Sequence, residues 1–128
     1  MKILIADDNA QVRGYMASVF EEKGHSVAEA ANGQEAIQAV KTEHVDAVLM
    51  DLAMPNMGGV EATRILRADP AHAALPIFAF TGMSDIEGFD RTLFTRTFLK
   101  PYPPVTLVEA IEKELRVQLP GLKPSNIP

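Results

Sequence analysis

Five polar side chains with chemical potential each stand at the end of a short apolar segment: Asp7, Asp8, Asp51, Thr81 and Lys100. Three carboxylates brought together repel one another by about 4 kcal/mol per pair at about 4 Å and an effective dielectric constant of about 20. Mg²⁺, which prefers oxygen ligands, removes that repulsion. With Mg²⁺ and the Lys100 ammonium the pocket is neutral and suits a phosphoryl group, which Asp51 could attack while Thr81 donates a hydrogen bond. The residue types therefore indicate phosphoryl transfer onto a carboxylate.

Alternating strands and helices would bring these distant residues together. Apolar runs typical of buried parallel strands cover 3–6, 47–50 and 76–80, and weaker runs cover 26–29 and 97–99. Segments with helical spacing lie between them, which favours a five-stranded parallel α/β sheet with helices on both faces. Ligands bind outside the carboxyl ends of such strands. The five polar residues, each an ordinary loop or capping residue when taken alone, should therefore share one rim.

Helical spacing predicts which side chains of the first two helices face the core. In the first helix the apolar stripe comprises Val12, Tyr15, Met16, Val19 and Phe20. Asn32 followed by Glu35 predicts the start of a second helix, whose buried stripe is Ala36, Ile37 and Val40. A third helix should cover 60–68 and end at Asp69-Pro70.

The later helices are predicted from a capping pattern and a second stripe. Ser84 to Glu87 resembles a capping box for a fourth helix with Ile86, Phe89 and Leu93 inward, although Gly88 should make it short or atypical. The last helix, over 104–117, should bury Leu107, Val108, Ile111 and Leu115 and carry the pairs Glu109–Lys113 and Glu112–Arg116 on its exposed face. The histidines lack ligand spacing and an acidic partner, so we expect surface positions for His25, His44 and His72.

Composition bounds the function classes. The chain has 128 residues, which suits one domain over 1–118 followed by a Pro-rich tail or linker over 119–128. The absence of cysteine excludes disulfides, thiolate metal sites and cysteine nucleophiles. A formal net charge of −5 argues against direct nucleic-acid binding. Because no signal peptide or apolar stretch of about 20 residues is present, we expect a cytoplasmic protein without membrane insertion.

The order and spacing of the site motifs resemble those of response-regulator receiver domains, the phosphoacceptors of two-component signalling. The resemblance covers about residues 1–118 and rests on Asp7-Asp8, the stretch from Asp51 to Gly59, Thr81-Gly82 and Lys100-Pro101. It implies a flavodoxin-like three-layer fold with strand order 2-1-3-4-5, an order that is the family's and not worked out from the spacing. It also implies five helices.

The resemblance further implies roles and partners. Asp51 would be the phosphorylation site, and Asp7, Asp8 and Asp51 would bind Mg²⁺ together with the Ala53 backbone carbonyl. Thr81 and Lys100 would contact the phosphoryl oxygens. Lys100-Pro101 would be a cis peptide. A histidine kinase or histidine phosphotransferase would supply the phosphoryl group to a monomer or weak dimer, which then acts on an unknown downstream protein. Such a chain is not a metabolic enzyme and catalyses only its own phosphorylation and dephosphorylation.

Three departures from the family pattern affect these expectations. The stretch between Thr81 and Lys100 is a few residues short. Thr97 stands where receivers often carry a switching aromatic, and Phe98 should face the opposite side of its strand. Ala53 and Met83 stand where side chains often position the hydrolytic water, and neither forms a useful hydrogen bond, which predicts slow self-dephosphorylation.

Other functions remain open at this point. An aspartate-nucleophile phosphatase also uses Asp after a parallel strand with Mg²⁺, but it needs an acid two residues later, where this chain has Ala53. A pseudo-receiver would dock partners without phosphorylation. The chain could also be a stand-alone regulator or one part of a longer regulator or hybrid kinase.

Overall fold

The computed structural model of the chain describes residues 1–82 and 88–118, which form a five-stranded parallel sheet between two layers of helices. The sheet order is β2-β1-β3-β4-β5, as the resemblance implied. The strands are β1 (Lys2–Ala6), β2 (Ser26–Ala30), β3 (Ala47–Met50), β4 (Ile77–Thr81) and β5 (Arg96–Leu99). The α-helices among the described residues are α1 (Ala10–Glu22), α2 (Gly33–Thr42), α3 (Gly59–Ala68) and α4 (Pro104–Gln118).

The central strands β1, β3 and β4 are apolar on both faces because helices cover both sides of the sheet. Alternate residues of β1 enter different cores: Ile3 and Ile5 pack with α1 and α4, whereas Leu4 and Ala6 pack with α2 and α3. In the described part of the chain, no helix is long and apolar enough to cross a membrane.

The prediction that Tyr15 belongs to the buried stripe of α1 is wrong, because Tyr15 is 61% exposed. Met16 and Phe20 form the centre of the buried face, and Ala17 extends it on one side. Consecutive helical residues are rotated by about 100°, so Tyr15 lies to the other side of Met16, beyond the edge of the core. The predicted capping of α2 is confirmed: the Glu35 N–H donates to Asn32 Oδ1 at 2.9 Å.

The predicted fourth helix is not found where the structure can test it. The predicted capping box from Ser84 to Glu87, which includes Ile86, lies outside the described residues. From 88 to 95 the chain forms only a short 3-10 turn, Arg91–Leu93. Gly88 adopts a φ of +81°, a left-handed conformation that a continuing α-helix does not allow. The Asp90 side chain then accepts the Thr92 N–H at 3.0 Å and starts the new turn. Phe89 and Leu93 do pack, partly buried, against the core on the α2 and α3 side as predicted. They do not belong to one α-helix, and the described chain has four α-helices rather than five.

Arg67 at the end of α3 fastens two separate loops. Its Nε donates to the Leu93 carbonyl at 2.9 Å, in the stretch that replaces the expected helix. Its Nη1 donates to the carbonyls of Leu75 at 2.6 Å and His72 at 3.1 Å, in the α3–β4 connection. One guanidinium thus satisfies carbonyls from both loops, which fixes the chain on either side of β4.

The last helix buries Leu107, Val108, Ile111 and Leu115 as predicted. The assignment of Glu112 to its exposed face is wrong, because Glu112 is only 4% exposed and lies 2.8 Å from His25 Nε2. His25 is only 3% exposed and packs edge-on against Phe20, so its predicted surface position is wrong as well. Its position directly before β2 places the ring under α4, which supplies the acidic partner that spacing did not reveal. His44 is exposed as expected, and His72 is half-buried.

Candidate functional site

The carboxyl ends of the strands bring the predicted polar residues to one edge of the sheet. Asp7 and Asp8 follow β1, Asp51 follows β3, Thr81 ends β4 and Lys100 follows β5. Carboxylate oxygens of Asp7, Asp8 and Asp51 all lie within 4.8 Å of one another. The structure therefore gathers the acids that the sequence placed at three separate positions.

A lysine bridges the two buried acids of this cluster. Lys100 Nζ lies 3.0 Å from Asp7 Oδ2 and 3.3 Å from Asp51 Oδ2. Asp7 and Asp51 are 4% and 6% exposed, whereas Asp8 is exposed at the rim. Backbone donors hold the other oxygens: the Asn9 N–H donates to Asp7 Oδ1 at 2.9 Å, and the Ala53 N–H donates to Asp51 Oδ1 at 3.3 Å. Both carboxylates are therefore oriented before any ligand arrives.

The electrostatics of the cluster leave negative charge uncompensated. Three carboxylates and one ammonium carry two net negative charges. Burial raises the pKa of the Asp51 carboxyl above its ordinary value and the Asp7 carboxylate raises it further, while the Lys100 ammonium acts in the opposite direction. Burial alone would lower the pKa of Lys100, but its hydrogen bond to Asp7 and its attraction to Asp51 outweigh burial and hold that pKa above its ordinary value.

The loop that follows Asp51 is fixed by close backbone contacts. The Gly59 N–H donates to the Leu52 carbonyl at 3.0 Å, and the Gly33 N–H at the start of α2 donates to the Met57 carbonyl at 2.8 Å. A Cβ on Gly59 would collide with the Asp51 carbonyl oxygen. Glycine at this position therefore lets α3 begin directly beside Asp51.

The Thr81 hydroxyl has no hydrogen-bond partner among the residues that the structure describes. Its oxygen, Oγ1, is buried, although buried hydroxyls are normally paired. The Thr81 carbonyl accepts the Lys100 N–H at 2.8 Å, and the Lys100-Pro101 peptide is cis, as the resemblance implied. The Thr81 hydroxyl is thus an unused hydrogen-bonding group on the strand next to Asp51.

The residues before Lys100 are arranged as strand alternation predicts. Phe98 is 1% exposed and packs between Phe78 and Tyr102 in the core on the α1 and α4 side. Thr97 pairs with Ala79, which belongs to the opposite core. The buried aromatic at this end of β5 therefore faces away from the position where a switching aromatic would stand.

Two residues near the cluster were not predicted from the sequence. Arg13 donates from Nη1 to the Asp7 carbonyl at 2.7 Å, and its position four residues after the Asn9 cap could have indicated that its side chain lies near the start of the helix. The Phe80 ring lies with its centroid 5.1 Å from Lys100 Nζ. Phe80 was assigned only to a strand, and nothing in its spacing distinguishes it from a core residue.

The donor set fits Mg²⁺. All side-chain candidates are carboxylate oxygens, the ligands that a hard divalent cation prefers, and the surplus negative charge equals the charge of one such ion. Asp7, Asp8 and Asp51 would supply the side-chain ligands. The Ala53 carbonyl remains a predicted ligand. The hydrogen bond from the Ala53 N–H to Asp51 places this residue beside the cluster but does not test whether its carbonyl binds a metal.

Comparison with known proteins identifies relatives along most of the chain. A family model described as response regulator receiver domain matches residues 3–112. The chain is 39% identical over 82 residues to the CAI-1 autoinducer sensor kinase/phosphatase CqsS of Vibrio cholerae, covering 63% of this chain and 12% of that protein. It is 31% identical over 118 residues to the DNA-binding response regulator MtrA of Mycobacterium tuberculosis strain H37Rv, covering 90% of this chain and 50% of that protein.

A solved structure shows the same fold. The CheY-like response regulator receiver domain protein of Methanospirillum hungatei superimposes with a TM-score of 0.85 at 24% identity, covering 94% of this chain and 98% of that chain. The chain thus spans half of the MtrA relative and a small part of the CqsS relative, but nearly all of a solved receiver domain.

Proposed function

The chain belongs to the response-regulator receiver domain family, and on that premise we propose that it is a Mg²⁺-dependent phosphoacceptor in which Asp51 is the phosphorylation site. The observation that carries this proposal is the buried Asp51 carboxylate, held by Lys100 and the Ala53 N–H beside Asp7 and Asp8. The buried Thr81 hydroxyl supports it: it has no hydrogen bond to any residue in the described part of the chain, and a phosphoryl oxygen would supply an acceptor.

The proposed reaction uses groups that are already in place. An Asp51 carboxylate oxygen attacks the phosphorus of a phosphohistidine on a histidine kinase or histidine phosphotransferase. The new O–P bond forms as the P–N bond breaks, and the imidazole leaves with the electron pair of that bond. Lys100 pairs with one phosphoryl oxygen and Thr81 donates its O–H to another. Bound Mg²⁺, held by the three aspartates and the Ala53 carbonyl, would neutralise charge on the phosphoryl group.

Phosphorylation would act as a conformational switch. A phosphoryl group adds negative charge at Asp51 and draws Lys100 and the Thr81 hydroxyl toward its oxygens. Thr81 pairs with Leu99 of β5 and Lys100 directly follows that strand, so a movement at the site would act on β5 and through it on the surface formed by residues 88–95, β5 and α4. We propose that a downstream protein binds this surface, and that the chain acts in the cytoplasm, where its phosphoryl donor is found.

Intact mass after incubation with acetyl phosphate tests the acceptor. The wild type should gain one phosphoryl group in Mg²⁺ and none in EDTA, and Asp51→Asn should gain none. Asp46→Asn is the matched control, since Asp46 directly precedes β3 at its other end and bonds the Lys2 N–H at 2.7 Å. Uptake by Asp51→Asn would overturn the assignment of the acceptor.

If the wild type gains no mass, a beryllofluoride titration followed by NMR decides between acceptor and docking module. Shifts at Thr81 and Lys100 would support a receiver that accepts phosphoryl only from its kinase. Unchanged resonances would favour a phosphorylation-independent docking module.

Self-dephosphorylation should be slow, because neither Ala53 nor Met83 has a side-chain group that can orient a water molecule. Met83 lies outside the described residues, so this part of the prediction rests on the sequence. After removal of the donor, the phosphorylated mass should persist far longer than seconds, and Ala53→Asn should shorten its lifetime by placing an amide beside Asp51. Mass spectra over time measure both decays. A half-life of seconds in the wild type would contradict the prediction.

A further inference from the structure

An aromatic ring lies over the lysine of the site. Phe80 is the penultimate residue of β4, is 7% exposed, and pairs in register with Phe98 of β5. Its ring centroid is 5.1 Å from Lys100 Nζ, within the distance of about 6 Å at which the face of a ring attracts a cation. Lys100 therefore has three neighbours of two kinds: two carboxylates and one aromatic ring.

The ring acts on Lys100 differently from the carboxylates. Asp7 and Asp51 accept two of the three N–H groups of the ammonium, whereas the ring attracts the cation through its quadrupole and neutralises none of its charge. The lysine side chain is 30% exposed and flexible, so contacts with the aspartates alone do not exclude positions nearer the solvent. Because the Phe80 ring is buried, its attraction for Nζ opposes movement of the ammonium toward the solvent and away from the carboxylates.

We propose that Phe80 is a positioning residue for Lys100: its ring holds the ammonium beside Asp51, where it meets the incoming phosphoryl group. This inference rests on the proposed function, because it concerns the lysine that would contact the phosphoryl oxygens. An aliphatic side chain at position 80 would fill the same core volume without attracting the cation. Replacing the ring at position 80 by an aliphatic side chain would therefore lower the rate of Asp51 phosphorylation.

Packing must be separated from attraction, since Phe80 also belongs to the core shared by α1 and α4. Replacement of Phe80 by leucine changes both the packing of the core and the attraction for the ammonium. Fluorinated phenylalanines change mainly the second, because successive fluorine atoms withdraw charge from the ring face while its size stays nearly constant. Phe78 offers a matched control two residues earlier on the same strand and in the same core, and within the described residues no cation lies over its ring.

The experiment incorporates phenylalanine and its mono-, di- and trifluoro derivatives at position 80, and separately at position 78, by stop-codon suppression. The rate of Mg²⁺-dependent phosphorylation by acetyl phosphate is measured across the donor concentration range. At position 80 we expect a stepwise fall in the maximal rate, about three- to ten-fold across the series, as expected for loss of a partly desolvated cation–π contact. At position 78 we expect no trend.

The outcomes separate the two proposals. A flat series at position 80, or equal slopes at positions 80 and 78, in a protein that takes up phosphoryl would overturn the positioning role alone. If the protein with ordinary phenylalanine takes up no phosphoryl from acetyl phosphate and shows no beryllofluoride shifts, the proposed function fails, and the positioning role fails with it.

Discussion

Two buried clusters of ionisable side chains lie in different parts of the molecule and are built differently. At the carboxyl edge of the sheet, Lys100 forms ion pairs with the Asp7 and Asp51 carboxylates, and the Asp8 carboxylate lies nearby. Under α4, His25 and Glu112 form a one-to-one contact whose side chains are 0% and 6% exposed. The first cluster has surplus negative charge, an exposed acid in Asp8, and beside it on β4 the Thr81 hydroxyl, which has no hydrogen bond within the described residues. The second is closed to solvent, so we assign ligand chemistry to the first and helix attachment to the second.

Breaking the closed pair should give the largest change in stability. Glu112→Ala leaves the buried His25 without its hydrogen-bond partner and should lower the free energy of unfolding by about 3 kcal/mol. Glu109→Ala, one turn earlier, removes an exposed carboxylate 3.9 Å from Lys23 and should change it by less than about 1 kcal/mol. Urea unfolding measures both values. Equal losses in the two variants would show that the buried pair does not hold the helix.

Binding of Mg²⁺ to the open cluster, which comprises Asp7, Asp8, Asp51 and Lys100, should give the next largest change in the free energy of unfolding. Mg²⁺ at 100 times its dissociation constant should raise the free energy of unfolding by about 2.7 kcal/mol through binding to the folded state alone. Asp8→Asn should reduce this increment, whereas Glu112→Ala should keep it, since Glu112 lies outside the acidic cluster. Thermal unfolding with Mg²⁺ or EDTA provides the measurement. An increment that is the same in Asp8→Asn and in the wild type would count against Asp8 as a ligand.

Removing one acid from the open cluster should give the smallest change, and in the opposite direction to the loss at Glu112. Burial raises the pKa of Asp51 from its ordinary value of 3.8, so the folded state disfavours its charged form. In the wild type, the stabilising contribution of the neutral Asp51 carboxyl to the free energy of unfolding is therefore complete below pH 3.8. It is lost as the pH rises through the raised pKa of the folded state. In EDTA, Asp51→Asn should be more stable than the wild type at neutral pH.

That advantage of Asp51→Asn should shrink as the pH falls toward 3.8, where the native carboxyl also becomes neutral. Urea unfolding between pH 4 and pH 7 provides the test, with Asp46→Asn as the control. An advantage that grows on acidification would show that the charged Asp51 is favoured by the fold.

The open cluster could be predicted from the sequence, and the closed pair could not. Lys100 and Asp7 are 93 residues apart, but both directly follow apolar strands, and a parallel sheet must bring such positions to one edge. His25 and Glu112 are 87 residues apart, and neither stands at a strand's carboxyl end. Helical spacing indicates only how apolar residues share a face. It does not show that a carboxylate at the edge of that face meets a histidine from another element.

The errors in the helices have similarly local causes. Tyr15 fits the spacing of the α1 stripe, but the buried face is centred on Met16 and Phe20, so Tyr15 falls outside it. The capping pattern before Gly88 favoured a helix, yet the left-handed conformation of Gly88 and the Asp90 cap begin a separate turn. The positions of strands were better predicted, because a short buried strand needs little beyond an uninterrupted apolar run.

The Arg67 guanidinium has a consequence for how the molecule opens. It bonds carbonyls of His72 and Leu75 on one side of β4 and of Leu93 on the other. Neither loop can detach without leaving a half-buried cation short of acceptors, so the two loops, although about twenty residues apart, form one cooperative unit of local unfolding. Amide hydrogens in both loops would then exchange with solvent through a shared opening event, so the two connections that flank β4 would loosen or tighten together.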